Sequence, residues 1–502
     1  MKKFAILFFI ICVSIQVFAS PPKSFHMLIA PATLTDNSAT ILWDKQYGKG
    51  IAYEILLNGK VVASTNKTNF TLTDLLPSTS YTVKLRIKDT KEESSLTFKT
   101  ASKSKIYNIL DFGAKDDSLT KNTQAIQAAI NACTNGGTVY IPKGTFISGA
   151  LFLKSNMTLY IEKGGVLKGS VTTEDYLPMI LNRFEGWELK TYASLLNAGT
   201  LNRDGSYNVK DLRITGGGTI SGGGKRLGDA MIKASGMRSR GRLICLMNCQ
   251  DVSISNLTIT EPPCWTIHYI YSNNITCHDL NIITNGIRNG DGLDPDSSTD
   301  SYIFNCTFDT GDDCIAIKSG KNPEGFFVAK PTKNVRITDC DFKRGHGISI
   351  GSEMSGGVSD VLVQDCKAGA LLHGMQIKGT KERGGYVKNV TVTDCQLLQI
   401  TIFSAVNYNN DGDAAPEVPT FENFVFKNID LSMASAKEAV IDINGFKEPG
   451  HILKNVTFQN IILPENANVV INNAEQIKFT NVRSAKGSKP KFTVNNSTGI
   501  DY

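Results

Sequence analysis

Ten stretches of this chain can be written under one another so that the same residue types fall into the same columns. They begin at Asp211 (DLRITGGGTI), Asp251 (DVSISNLTI), Asn274 (NITCHDLNI), Asp300 (DSYIFNCTF), Asn334 (NVRITDCDF), Asp360 (DVLVQDCKA), Asn389 (NVTVTDCQL), Asn423 (NFVFKNIDL), Asn455 (NVTFQNIIL) and Gln476 (QIKFTNVRS). The starts lie 21 to 40 residues apart. The sixth residue is Asn or Asp in nine of the ten and Gly216 in the other, and the seventh is apolar or Cys in nine. Asn, Asp and Gly tolerate a left-handed backbone, so each sixth position predicts a turn. A unit of strands and turns without helices cannot bury its apolar face alone. Stacked as coils it can, which predicts a parallel β-helix.

The same columns account for the cysteines. Cys306, Cys340, Cys366 and Cys395 fill the seventh slot, where other coils carry Leu257, Leu280, Ile429 and Ile461. They read as buried thiols stacked like small apolar side chains. No pair of C-x-x-C motifs with zinc spacing occurs, so no metal is expected.

Ahead of the repeats, three further segments can be separated. Residues 1–19, MKKFAILFFIICVSIQVFA, join two lysines to an apolar run too short for a membrane span, and predict a cleaved secretory signal. Ile11 is too large for the site that would make Cys12 a lipid-anchored residue. Residues 26–101 carry short alternating strands at sandwich spacing, and LLPSTSYTVKL resembles the corner of fibronectin type III domains, with Tyr81 at the corner and Trp43 as the buried strand aromatic. Its aromatics read as core, so the module is expected to be a spacer rather than a carbohydrate-binding surface. After a linker at Ala101 to Lys105, TKNTQAIQAAINAC predicts one capped amphipathic helix, with Ile126 and Ile130 one turn apart, and 106–502 then reads as the β-helix. Without the signal's two lysines, 51 basic residues stand against 47 acidic ones. So small a surplus makes no field for nucleic acid, and no nucleic-acid partner and no membrane span are expected.

Two stretches concentrate carboxylates among glycines: RNGDGLDPDSS from Arg288, and TGDDCIAIKSG from Thr310. Asp312 and His346 each lie twelve residues after a frame start, so they should be neighbours on adjacent coils, about 4.8 Å apart at the backbone. Asp291 lies one coil earlier and His373 and Lys378 one coil later. Asp291, Asp312, Asp313, His346 and Lys378 are therefore expected to converge from four consecutive coils. For the adjacent Asp312 and Asp313 to serve one site the chain must bend between them, which the flanking glycines allow. Three carboxylates held together raise the pKa of at least one, placing a protonated acid beside ionised bases, as glycoside hydrolysis requires. Asp294 and Asp296 read as turn residues or supports rather than catalysts, and His373 as an ordinary satisfied histidine. DGLDPDSSTD lacks the order of an EF-hand loop, GGGKR lacks the Ser or Thr of a P-loop, and NYNNDGDAA at Asn407 reads as a loop beyond the cluster.

The order N-x-D, G-D-D, G-H-G and x-I-K resembles the polygalacturonase family of glycoside hydrolases, pectin-degrading enzymes with a right-handed parallel β-helix. The resemblance runs from about Ile106 to the carboxyl terminus and includes ILDFGAKDDSLTKNTQAIQAAINAC, GGTVYIPKGTFISGALFLKS and GGGTISGGG. It implies an inverting hydrolase, with Asp312 as general acid, Asp291 and Asp313 holding and deprotonating the attacking water, and His346 tuning the acid. It implies substrate contacts at Asn289 and Lys378. The module in front and the longer coil between Asp312 and His346 resemble bacterial exo-acting members. Gln376 stands where the family has Arg, and an Arg–carboxylate contact has no neutral equivalent. The expected substrate is therefore galacturonan in pectin, or else rhamnogalacturonan with a neutral sugar on the leaving side. The remaining alternatives are a polysaccharide lyase on a similar rod and a non-catalytic binding rod. No cofactor, an exported or periplasmic location and a monomer complete the expectation.

Overall fold

The computed structural model describes residues 25–46, 51–405, 408 and 411–502. The signal expected at 1–19 lies outside the described residues. Among them, no helix is long and apolar enough to cross a membrane.

The first module is β-sheet. One sheet orders Met27–Ile29, Ala39–Trp43 and Asn69–Leu72, and the other orders Lys60–Thr65, Tyr53–Leu57, Ser80–Ile87 and Glu93–Lys99 with antiparallel pairing. Trp43 is buried and meets the Tyr53 ring edge-on at 5.4 Å, while Tyr81 stacks on Phe98.

The repeats build a parallel β-helix of three sheets, with eight, twelve and fourteen described strands. The second residues of the ten frames pair in one unbroken column of the fourteen-stranded sheet: Leu212, Val252, Ile275, Ser301, Val335, Val361, Val390, Phe424, Val456 and Ile477. The turn residues explain why the register does not slip. Every sixth residue is left-handed, with φ of 51 to 57° for the Asn and Asp and 146° for Gly216. Each frame start is left-handed too, φ 53 to 64°, which the alignment alone did not reveal. These side chains also bond to one another along the stack. Asn481 donates to Asn460, Asn460 to Asn428 and Asn428 to Asp394, each at 2.9 Å. A second ladder runs Asn455–Asn423–Asn389–Asp360 at 3.1 to 3.2 Å. Such amide ladders tie one coil to the next.

Inside, Ile317, Ile350, Ile377, Ile402, Ile443 and Ile471 form one continuous column without exposure. The helix Thr123–Ala132 buries Ile126 and Ile130. Its expected side-chain cap is absent, because the Asn122 amide is taken up by Lys115 N–H and by the carbonyls of Lys115 and Thr120. A second helix, Gly224–Ser235, lies where only a glycine run was read. It buries Leu227 and Met231 one turn apart, on a face that lysines and glycines dilute in the sequence.

One covering segment folds over the twelve-stranded sheet. The antiparallel hairpin Ile180–Phe184 with Trp187–Thr191 does so on one side of the later site. There Phe184 stacks on Trp265 at 5.1 Å, Cys245 lies 3.5 Å from Asn182 Oδ1, and Arg183 reaches Asp296. As a result the strands Ile244–Met247, Ile267–Ile270 and Leu293–Asp296 are buried on both faces, whereas Asn468–Asn472 and Lys491–Asn495 keep the alternation of a strand with one open face.

All ten described cysteines are free and buried. Ellman's reagent should therefore label none of them in the native protein and all of them in denaturant. A reductant should leave the melting temperature unchanged.

Candidate active site

Asp312 and Asp313 sit in the bend between the strands Thr307–Asp309 and Ile315–Ile317. The bend closes on itself: Thr310 Oγ1 donates to Asp312 O at 2.8 Å, and Asp313 N donates to Asp312 Oδ1 at 3.0 Å. Both side chains consequently serve one place. On the next coil His346 N donates to Asp312 O at 2.9 Å, and Nδ1 lies 3.0 Å from Asp312 Oδ1 and 3.9 Å from Asp313 Oδ1. His346 is flanked by Gly345 at φ 128° and Gly347 at φ 96°, and a Cβ on either would lie 2.0 Å from Thr310 Oγ1 or 2.2 Å from Gly374 O. Only glycine fits there.

Asp313 is held by Ser349, whose Oγ donates to Oδ1 at 2.7 Å, and by Lys378 Nζ, 3.9 Å from Oδ2. Asn289, left-handed at φ 51°, points Nδ2 at Asp312 Oδ2, 3.4 Å away. Its orientation is set from behind, since Arg240 Nη2 donates to Asn289 Oδ1 at 2.9 Å. Gln376 is buried and pairs in register with Ser349 on one side and Thr401 on the other. The seven residues expected from sequence thus gather on or beside four successive coils. His373 joins them, its ring 5.7 Å from that of His346.

Several groups escaped the sequence reading. Lys318 is buried, with Nζ 3.9 Å from Asp291 Oδ2, 3.6 Å from Asp294 Oδ1 and 3.6 Å from Glu353 Oε2, over the face of Trp265. A signal for it existed: Lys318 and Lys378 each lie eighteen residues after a frame start, in one column. Asp294 and Asp296 are not turn residues. They lie in the fully buried strand Leu293–Asp296, with Asp294 in register with His268. Asp296 Oδ1 takes Arg183 Nη1 at 2.7 Å, and Oδ2 takes His268 Nε2 at 3.2 Å. Burial holds the His268 imidazole near pKa 4, so it is neutral. Its Nε2–H then donates to Asp296 while Nδ1 accepts from Arg242 Nε at 3.4 Å.

The electrostatics divide the carboxylates. Burial, reinforced by Asp294 and Asp312, drives Asp291 well above the ordinary range, and burial lifts Asp294 to about 7. Burial would raise Asp312 as well, but the hydrogen bond and charge of His346 outweigh it and hold Asp312 low. His346 is correspondingly raised by its hydrogen bond to Asp312. The sequence expectation of a raised carboxyl falls on Asp291 and Asp294, whereas Asp312 is held low. Burial opposes the charge on Lys318, and Glu353, Asp294 and Asp291 more than restore it. Asp312, Asp313 and His346 bring one donor atom each within 4.8 Å of the others. His346 Nδ1 faces Asp312 at 3.0 Å, and Lys378 Nζ lies 3.9 Å from Asp313.

Comparison with known proteins gives three family matches: "Glycosyl hydrolases family 28" over residues 137–481, "Rhamnogalacturonase A/epimerase, pectate lyase-like" over 106–166, and "Fibronectin type III domain" over 20–100. A probable polygalacturonase of Vitis vinifera is 32% identical, covering 71% of this chain and 74% of its own. An exo-poly-alpha-D-galacturonosidase of Dickeya chrysanthemi is 29% identical over 81% of this chain and 76% of its own. Among solved structures, the family 28 exopolygalacturonase of Yersinia enterocolitica superposes with a TM-score of 0.83 and 26% identity, covering 96% of this chain and 99% of that one.

Removing one partner from a buried ion cluster leaves the others uncompensated. Lys318→Met should destabilise the protein by about 3–5 kcal/mol in denaturant titrations near neutral pH.

Proposed function

The chain belongs to glycosyl hydrolases family 28, and on that footing we propose that it is an exo-acting polygalacturonase, hydrolysing α-linked galacturonate from a chain end. One observation supports this reading above the others. The strands that precede the carboxylate cluster, Ile244–Met247, Ile267–Ile270 and Leu293–Asp296, are buried on both faces, whereas strands with an open face begin beyond it, at Ala439–Asn444. A cleft stopped on one side of its catalytic groups admits a chain end rather than a chain middle. Lys378 and Gln376 lie toward the open side, where the leaving part of the chain would extend.

In the proposed reaction Asp312 protonates the glycosidic oxygen. The proton available to it is the one it shares with His346: the imidazole holds it in the free site, and it passes through Asp312 to the leaving oxygen as that bond breaks. Asp313, fixed by Ser349 and Lys378, and Asp291 hold the attacking water and take its proton. Attack from the face opposite the leaving group inverts the anomeric centre. Asn289 orients against Asp312, and Lys378 offers its ammonium to a galacturonate carboxylate. Gln376 can give that carboxylate only neutral hydrogen bonds, so leaving-side recognition rests on one cation instead of two. The lysines and apolar run at the amino terminus support export, and the substrate is a pectic polysaccharide or its oligogalacturonides. No cofactor enters this chemistry.

The test is incubation with de-esterified polygalacturonate and with a debranched rhamnogalacturonan backbone, with products followed by anion exchange and by the anomeric NMR signal. Short saturated galacturonate, inverted and released with little early loss of viscosity, is expected from the first. Asp312→Asn should lose at least 10²-fold in kcat. Unsaturated product would identify a lyase, and activity confined to the second substrate would make Gln376 the mark of a neutral leaving sugar. The pH profile follows from the same pair. Because His346 is raised by Asp312, the shared proton is lost, and activity falls, only above the usual imidazole range. In His346→Gln that alkaline limb should move down toward the carboxylate range.

A further inference from the structure

Beneath the site, carboxylates outnumber their cation. Asp291, Asp294 and Glu353 are 3%, 0% and 6% exposed, and the ammonium between them is Lys318 alone, among the described residues within 4 Å. Asp294 has both oxygens, and Asp291 has Oδ1, buried without a hydrogen-bond partner among the described residues. Arg242, on an earlier coil, spends its donors on Arg240 O, Arg183 O and His268. A buried carboxylate that accepts no hydrogen bond is the setting in which the ionised form is least stable, and one proton both removes a charge and supplies a donor. Glu353 is not the group that takes it, since burial of its carboxyl is outweighed by Lys318 and it stays low.

We propose that Asp291 and Asp294 share one proton, and that Asp294 is a positioning residue which sets the pH at which Asp291 can accept the proton of the attacking water. This deepens the hydrolase reading and rests on it. The groups facing the pair are Lys318 and Asp313 on the next coil, Asp312 beside them, Glu353 beyond Lys318, and Arg242 and the neutral His268 on the side of the hairpin. The upward displacement of both carboxyls agrees with this geometry. During attack the water O–H bond breaks, its oxygen joins the anomeric carbon, and the leaving oxygen departs with the proton from Asp312. The water's proton goes to the Asp313 and Asp291 carboxylates. Where Asp291 takes it, the pair passes from one proton to two and returns one to solvent after product leaves.

The experiment is the pH dependence of kcat/KM on polygalacturonate for Asp294→Leu. In the one-proton pair Asp294 is the protonated neighbour whose O–H stabilises the Asp291 carboxylate, so without it Asp291 ionises less easily and the acid limb should move to higher pH by about one unit or more. A limb that stays in place overturns the proposal, whatever happens to kcat, because a merely structural Asp294 would change rate or melting temperature without moving it. Should this variant not fold, infrared titration of the wild type decides. A protonated-carboxyl band that persists at neutral pH and disappears in Asp291→Asn supports the shared proton, and its absence refutes it. Wild type inactive on both polymers would sink the hydrolase reading instead, and the infrared result would still stand or fall alone.

Discussion

Parallel pairing of coil upon coil is the constraint from which the rest of this structure follows. A one-residue slip in a strand sends every side chain to the opposite face, and here the register is pinned twice per coil. Left-handed residues, Asn or Asp in all but Gly216 and Gln476, open and close each repeat, and the Asn amides bond up the stack. Because that register holds, side chains from Asp291 to Lys378 become neighbours, although nothing in the local sequence brings them together. The site uses the stack as a ruler.

Placing those groups together creates an electrostatic problem that the coils beneath must solve. Five buried or half-buried carboxyls, Asp291, Asp294, Asp312, Asp313 and Glu353, face Lys318, Lys378 and His346. Buried charge is tolerated only when paired or hydrogen-bonded. Asp312 receives Asn289, the Asp313 N–H and His346, and Asp313 receives Ser349 with Lys378 nearby, while Asp291 and Asp294 have oxygens that receive none. The inequality separates Asp291 and Asp294, which burial raises, from Asp312, which His346 holds low, without any difference in residue type. Lys318 is central because it is the cation common to the worst-served group.

Much of this was legible in the sequence because it depends on spacing. The solenoid, the buried thiols and the meeting of Asp312 with His346 all follow from the columns of the repeat. Yet the equal spacing of those two residues conceals an irregularity. The pairing shifts by one between Phe308 and Asp309, so that Asp309 meets Arg344 and, by Ile315 and Ile348, the offset has changed sign. Beyond that shift His346 Nδ1 lies 3.0 Å from Asp312 and 3.9 Å from Asp313. What the sequence could not reveal depends on chain that folds back across the stack. Arg183 joins Asp296 from 113 residues away, and Arg240 turns Asn289 from 49. No period connects such pairs, and the hairpin that carries Arg183 has a pattern like any other pair of short strands. Lys318 is the intermediate case, visible in the columns only once Lys378 had been singled out.

The hairpin also shows why reach of this kind matters for the reaction. A bare β-helix offers an open groove along its sheet, and nothing in the repeat distinguishes one end from the other. The covering segment breaks that symmetry by burying the outward residues of the strands before the site, and it does so by engaging Asp296 and Trp265, the residues immediately behind Asp294 and Lys318. The hairpin and the buried charges beside Asp291 are therefore parts of one packed unit. A change in the hairpin that loosened Arg183 would leave Asp296 without its cation, with only the neutral donors His268 and Gly320 N–H on that carboxylate. Under the proposed reaction, the choice of where to cut and the protonation state that permits cutting would rest on the same contacts.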